Sequence, residues 1–227
     1  MNILPISETY LMDCVQGMKE YPDKYFDLAI VDPPYGIGFD KYKKIWKGEV
    51  RTKHQPKKWD NEVPTAEYFL ELFRVSKNQI IWGGNYFDLP PTKCFIVWDK
   101  QQHLKNFAQC EMAWTSFRTN AKIFKRRFLE PYECNIYNKI KRIHPTQKSI
   151  FLYEWCLSEY AQKGDKILDT HLGSGSSRIA AHNLGFDFYG FEIDTDYYEA
   201  SEKRFNDTIS TPLFDTPVFV PQQLVLV

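Results

Sequence analysis

Little in this sequence points to a disulfide framework, a zinc ribbon or a membrane. Its five cysteines (Cys14, Cys94, Cys110, Cys134 and Cys156) are odd in number, widely spaced and without a C-x-x-C pair. Reduced thiols in a cytosolic protein are the simplest expectation, and no metal is expected. No apolar run approaches the ~18 residues of a membrane span. The opening "MNILPISETYLMDC" lacks the basic flank and long apolar core of a signal peptide. Net charge is missing too: 29 Lys and Arg balance 29 Asp and Glu, so any nucleic-acid-binding surface must be local. Repeats and low-complexity tracts are absent. A soluble intracellular chain of 227 residues is long enough for one domain with a full core.

Aromatic residues are abundant, at 16 % of the chain, and core packing accounts for most of them. The apolar run Leu28 to Val31 reads as a buried strand. Thr9 to Met12 reads as a short strand before a helical stretch through Met18. Thr65 is placed to cap a helix with Phe69, Leu72 and Phe73 on one face. "NQIIW" and "CFIVW" read as strands, and an aromatic-rich helix is expected between Gln147 and Gln162. "KILD" is a strand, "SRIAAHNL" a helix and "FDFYGFEID" a strand. Asp194 or Thr195 then caps a last helix running to about Phe205. Strands alternating with helices predict an α/β fold with a mostly parallel sheet. Residues 40–58 and 115–142 are locally basic, whereas the tail from 211 carries three prolines and is expected to be extended.

Two stretches carry chemistry. In "LAIVDPPYGIGFD" a strand ends at Asp32, where open α/β sheets place their ligands. Pro33 and Pro34 cannot donate backbone hydrogen bonds and stiffen the exit. With Tyr35 they form a socket suited to a flat molecule bearing an amino group. In "ILDTHLGSGSSRIAAHNLGFDFYGFEID" a strand feeds a glycine turn that opens a helix, which brings backbone close to a ligand. Glu192 follows Gly173 by nineteen positions, suitable for gripping ribose hydroxyls. Gly173 and Gly175 fit the first two glycines of a dinucleotide fingerprint, but the third position is Arg178. A dehydrogenase is therefore disfavoured, and a single adenosine with a small charged tail fits better.

Asp13, "DPPY", "WGGNYF" at 82–87, "HPTQK" at 144–148, the glycine turn and "FEID" occur in this order along nearly the whole chain. In this the sequence resembles the S-adenosylmethionine-dependent DNA amino-methyltransferases of the permuted β class. The resemblance implies a Rossmann-like methyltransferase fold with helices on both faces of the sheet. It implies one methyltransferase domain over 1–210, a mobile basic loop at 40–58, a target-recognition region at 100–142 and a separate tail at 211–227. One departure stands out: the family often has Pro-Phe after the acid of the glycine motif, and this chain has Thr170 and His171. Either the loop varies there or His171 flanks the cofactor.

By the same resemblance, Asp32 to Tyr35 are catalytic. Asp32 and the Pro33 carbonyl accept the two hydrogens of a base amine, and Tyr35 stacks on the base. Asp13 meets the adenine amine of the cofactor, Glu192 its ribose, and Lys148 or Thr146 its carboxylate. Cys14, Asp32, His144, Asp169, His171, Gly173, Ser174, Gly175, Ser176 and Ile193 complete the expected cofactor surface. The target must be flipped out of duplex DNA, at a cost of a few kcal/mol. Lys43, Lys44, Lys47, Arg51, Lys53, Arg118, Lys125, Arg126 and Arg127 are the expected DNA contacts. An acid at position 32, where cytosine enzymes often carry serine, favours N6 of adenine over N4 of cytosine. A non-catalytic DNA-binding subunit is the contrasting possibility, but the intact acid and glycine motifs favour activity. Candidate partners besides double-stranded DNA are a second copy of the chain, a cognate restriction endonuclease and, through "QLVLV", the replication sliding clamp.

Overall fold

The computed structural model describes residues 5–38, 60, 62–103, 108–127 and 143–210. The expected basic loop with Lys43, Lys44, Lys47, Arg51 and Lys53, the later part of the expected recognition region and the tail lie outside these residues.

Eight strands form one sheet: β1 (Ser7–Leu11), β2 (Phe26–Val31), β3 (Ser76–Trp82), β4 (Phe95–Asp99), β5 (Cys110–Thr115), β6 (Lys122–Lys125), β7 (Lys166–Asp169) and β8 (Asp187–Glu192). Their spatial order is β1-β8-β7-β2-β3-β5-β4-β6. Every neighbouring pair is parallel except those of β5, which runs antiparallel to both β3 and β4. Among the described residues, five α-helices accompany the sheet: α1 (Cys14–Lys19), α2 (Ala66–Val75), α3 (Ile150–Tyr160), α4 (Ser176–Leu184) and α5 (Thr195–Ile209). The expected mostly parallel α/β architecture is what the chain adopts.

Strand β2 shows why the sheet is covered on both sides. Leu28 and Ile30 pack with residues of α3 and α4, while Ala29 and Val31 pack with Met18 of α1 and Tyr68, Leu72 and Val75 of α2. Successive side chains point to opposite faces, so a strand buried on both reads as an unbroken apolar run. Helix α3 is apolar nearly all round because it packs against both the sheet and its neighbour α4.

Helix ends follow local chemistry. The Thr65 hydroxyl accepts from the Tyr68 amide at 3.4 Å, and the Asp194 carboxylate accepts from the Tyr197 amide at 3.1 Å. Two expectations shift. The buried stripe of α2 is Tyr68, Leu72 and Val75, with Phe69 and Phe73 on its flanks. Helix α5 continues past Phe205 to Ile209, since nothing in between breaks it. Residues 110–125, read from sequence as part of a basic recognition region, also supply two strands of the sheet. Among the described residues, no helix is long and apolar enough to cross a membrane.

Candidate active site

The carboxyl ends of β1, β8, β7 and β2 lie side by side and carry Asp13, Glu192, Asp169 and Asp32 respectively. Parallel strands that are neighbours present their ends at one edge of the sheet, where such folds collect ligands. The edge divides into two parts.

The first surrounds Asp32. Tyr35 donates its hydroxyl to Asp32 Oδ1 at 2.6 Å. Lys148 Nζ stands 2.5 Å from Asp32 Oδ2 and 3.3 Å from Glu111 Oε2, and donates to the Tyr35 hydroxyl at 3.2 Å. The far oxygen of Glu111 is paired with Lys100. The amides of Tyr35 and Gly36 donate to Asp60 Oδ1 at 2.8 and 3.0 Å, which holds the turn after the two prolines. Burial, reinforced by Asp32 and Glu111, pushes the Tyr35 hydroxyl well above its ordinary pKa, so it remains a donor.

The Tyr35 ring is itself tightly held. It lies over Gly83, where a Cβ would stand 2.2 Å from the ring, and Gly83 has the positive φ of +70°. It also stacks on Tyr86, with centroids 4.9 Å apart and planes 14° apart. Tyr35 thus presents a hydroxyl to Asp32, and Tyr86, 46 % exposed, supplies the open aromatic surface beside it.

The second part is the glycine turn after β7. Glu192 accepts from the Gly173 amide at 2.8 Å and from the Asp194 amide at 2.9 Å. Ile193 next to it is 70 % exposed. Asp13 caps α1 by accepting from the Gln16 amide at 3.0 Å. Burial pushes the Cys14 thiol up to about 12, which keeps it protonated.

Asp169 is buried, which pushes its carboxyl up to about 7. The Ser177 hydroxyl (2.5 Å) and the His171 amide (3.0 Å) donate to it and oppose that shift. His171 Nδ1 lies 2.9 Å from the Thr170 hydroxyl, which in turn lies 2.8 Å from that of Tyr68. Burial pulls His171 down to about 4, with Asp13 opposing, so the ring is neutral at neutral pH.

The "HPTQK" segment covers this turn. His144 packs edge-on against Tyr197 at 4.4 Å, and its Nδ1 accepts from the Thr146 amide at 3.3 Å. Ser176 donates its hydroxyl to the Lys148 carbonyl at 2.8 Å. Arg204 donates to the Ser174 carbonyl and the Ser176 hydroxyl at 2.6 and 2.9 Å.

The two glycines of the turn differ. Gly173, at φ +51°, is half-buried, and a Cβ there would approach His144 no closer than 3.7 Å. Gly175, at φ +69°, is buried, and a Cβ there would meet Ser201 of α5 at 3.4 Å. Gly175 thus faces α5 within the domain, where its positive φ rather than lack of space calls for glycine, and Gly173 is the more accessible of the two.

Among the expected DNA contacts, Arg118, Lys125 and Arg127 are exposed. Arg126 differs: its guanidinium lies 3.8 Å over the Phe151 ring, and its carbonyl accepts from the Trp98 indole at 2.9 Å. It packs against the domain through cation–π contact.

Sequence reading did not single out Glu111, Lys100, Asp60 or Tyr86. Tyr86 was detectable, because it belongs to the "WGGNYF" stretch already noted. Glu111 and Lys100 carry no local signal: the pairing of β4 with β5 brings them together, and the place of β5 beside β3 brings Glu111 to Lys148.

Comparison with known proteins shows the family and the fold. A family model described as DNA methylase, for the N6 and N4 enzymes, matches residues 64–203, more than half of the chain. The chain belongs to the N6/N4 DNA methylase family. It is similar to the Type II methyltransferase M.HinfI of Haemophilus influenzae, at 25 % identity over 88 % of this chain and 68 % of that one. It is likewise similar to the Type II methyltransferase M2.MboI of Moraxella bovis, at 24 % identity over 87 % of each. Among solved structures, the M1.HpyAVI–SAM complex superposes with a TM-score of 0.56 at 22 % identity, covering 87 % of this chain and 98 % of that one. The PvuII DNA methyltransferase, titled cytosine-N4-specific, gives 0.57 at 14 % identity, covering 90 % and 89 %. These likenesses establish the fold. This DNA methylase is an S-adenosylmethionine-dependent DNA amino-methyltransferase by family, with its "DPPY" turn ahead of the matched span.

Proposed function

We propose that this methylase transfers a methyl group from S-adenosylmethionine to the exocyclic N6 amine of adenine in a base flipped out of duplex DNA. The observation that carries the reading is the adjacency of β2 and β7, which puts the Asp32 turn and the glycine turn at one sheet edge. The acid at position 32 supports adenine. The relatives' description as Type II methyltransferases supports DNA modification beside a cognate restriction endonuclease.

The residues present fit the cofactor. Gly173 offers an accessible backbone without a side chain, Glu192 precedes the exposed apolar side chain of Ile193, and Asp13 follows Met12, whose amide donates to the Glu192 carbonyl. An adenosine needs this combination of an apolar surface and hydrogen-bond acceptors. S-adenosylmethionine, when bound, would supply an electrophilic methyl on a sulfonium.

The chain's own groups do the rest. Asp32 accepts one hydrogen of the target amine and the Pro33 carbonyl the other, which draws the nitrogen toward tetrahedral geometry and aims its lone pair outward. Tyr35 orients Asp32 through its hydroxyl. Tyr86 offers the stacking surface, a contact worth ~1–3 kcal/mol in single-strand binders. Positioning of the reacting atoms supplies much of the acceleration. Arg118, Lys125 and Arg127, with the lysines and arginine of 40–58, hold phosphates, in a protein working in the cytoplasm. A second copy of the chain, and a sliding clamp reached through the tail, are further partners on this reading.

Labelled cofactor, unmethylated duplex DNA and nucleoside analysis test it directly. Label in N6-methyladenine is expected. Label in N4-methylcytosine would move the target to cytosine, and DNA binding with no label would make the chain a non-catalytic subunit.

A further inference from the structure

Asp32 has to receive a neutral amine, yet both of its oxygens are already engaged. The Tyr35 hydroxyl takes Oδ1, and the Tyr35 ring is fixed by Gly83 and Tyr86. The Lys148 ammonium takes Oδ2. A charge-assisted hydrogen bond is roughly twice as strong as a neutral one, so an amine competes poorly for the lone pair that an ammonium holds while that ammonium has nowhere else to go. Lys148 does have somewhere to go: Glu111 Oε2 lies 3.3 Å from the same nitrogen.

We infer that Lys148 is a placeholder for the target amine and that Glu111 is the positioning carboxylate that receives its ammonium when the base enters. This rests on the proposal that Asp32 accepts from the amine.

The surroundings suit such a transfer. The Lys148 side chain is 5 % exposed, and its ammonium lies 5.5 Å from the Trp82 ring centroid and 5.8 Å from that of Tyr35. An ammonium so enclosed cannot swing into water and must keep a carboxylate partner. Burial alone would lower the Lys148 pKa, but Asp32 and Glu111 outweigh it and hold the group charged. Burial alone would raise Glu111, but Lys148 and Lys100 outweigh it and hold that group ionised. Lys100, paired with the other oxygen, keeps Glu111 neutralised in both positions of Lys148. Two carboxylates and two lysines therefore remain balanced whether or not a base is bound. Only one short displacement of a nitrogen separates the two arrangements.

The placeholder role predicts a rescue that simple bracing does not. Single-turnover methyl transfer would be measured with saturating S-adenosylmethionine and unmethylated genomic DNA, with cofactor affinity read by calorimetry and folding by thermal melting. Glu111→Gln removes the receiving charge and locks Lys148 on Asp32, so transfer is expected to fall at least about tenfold with cofactor affinity unchanged. Adding Lys148→Met removes the lock, so the double variant is expected to be faster than E111Q alone. Glu111→Asp, which keeps the charge one methylene further back, is expected to lie between wild type and E111Q; it replaces E111Q in the cycle if that protein melts below assay temperature. A double variant no faster than E111Q would make Lys148 a brace for Asp32 and overturn the inference. Loss of cofactor affinity in K148M would assign the lysine to the cofactor and also overturn it. Wild-type protein that methylates no DNA would instead refute the proposed function itself.

Discussion

The two parts of the sheet edge handle acids in opposite ways. Around Asp32, charge is balanced by charge: Lys148 and Lys100 alternate with Asp32 and Glu111, and side chains make nearly every contact. Around the glycine turn, Glu192 and Asp169 lie within the fold without a lysine or arginine partner among the contacts described. They are held by backbone amides and a serine hydroxyl, and burial raises both pKa values. On the proposed reading this contrast is a division of labour. Ion pairs between side chains can exchange partners as a substrate enters, whereas amide-held carboxylates form a fixed surface for a cofactor.

Breaking the exchangeable side has the largest expected effect. Asp32→Ala should reduce methyl transfer by ~10²-fold or more while leaving cofactor affinity near normal, because on the proposed reading the lost group meets the amine. Rapid-quench kinetics and calorimetry on the same protein check both halves of that statement.

Next come the two glycines that serve the two parts. Gly83→Ala puts a Cβ against the Tyr35 ring and strains a positive φ, so a stability loss of ~1–3 kcal/mol and slower transfer are expected. Gly173→Ala has strain but no collision. A smaller stability loss of ~1 kcal/mol is expected, with the main effect on cofactor affinity. Equal stability losses in denaturant titrations would erase the contrast between a packed and an accessible glycine.

The fixed side is sharpened by pH. The folded pKa of Asp169 lies above its ordinary 3.8, so the stability it contributes is present below that value and lost as pH rises to about 7. His171 behaves oppositely: its contribution is present above 6.5 and lost as pH falls to about 4. The two slopes oppose one another between about 4 and 6.5. Asp32 and Glu192 face Asp169, and Asp13 faces His171, so all three modulate these slopes. Asp169→Asn should make melting temperature rise more steeply with pH in that window, and His171→Phe should make it fall relative to wild type. Parallel profiles for all three proteins would mean that neither group is perturbed.

The smallest effects separate surface from packing among the arginines. Arg126→Ala should lower stability by ~0.5–1 kcal/mol through its lost contact with Phe151, and leave the salt dependence of DNA binding unchanged. Arg118→Ala or Arg127→Ala should leave melting unchanged and reduce the slope of log affinity against log salt by ~0.9 each. A reduced slope for Arg126→Ala would return that residue to the DNA surface.

Much of the fold was legible because it is local. The unbroken run Leu28 to Val31 announces a strand buried on both faces, and Thr65 and Asp194 announce helix starts by the hydrogen bonds their side chains can make. Strands β5 and β6 were not legible, since Glu111, Lys122 and Lys125 interrupt their apolar pattern with charges that find partners or solvent only in the folded sheet. The same limit applied to Arg126, whose basic side chain looks like a phosphate contact until Phe151 is beneath it.

By itself the sequence determined the order of the motifs, the α/β alternation and the types of residue at the site, because strand period, turn chemistry and motif spacing act over a few residues. The tertiary structure alone decided which charges meet. Tyr35 and Lys148 are 113 residues apart, and no spacing rule joins them. They meet because the "HPTQK" segment reaches the strand-end edge where β2 delivers Asp32. Glu111 joins them because β5 lies next to β3 in the sheet. Whether a buried lysine serves cofactor, carboxylate or substrate depends on the distance to its nearest opposite charge, which is fixed only when the sheet has closed.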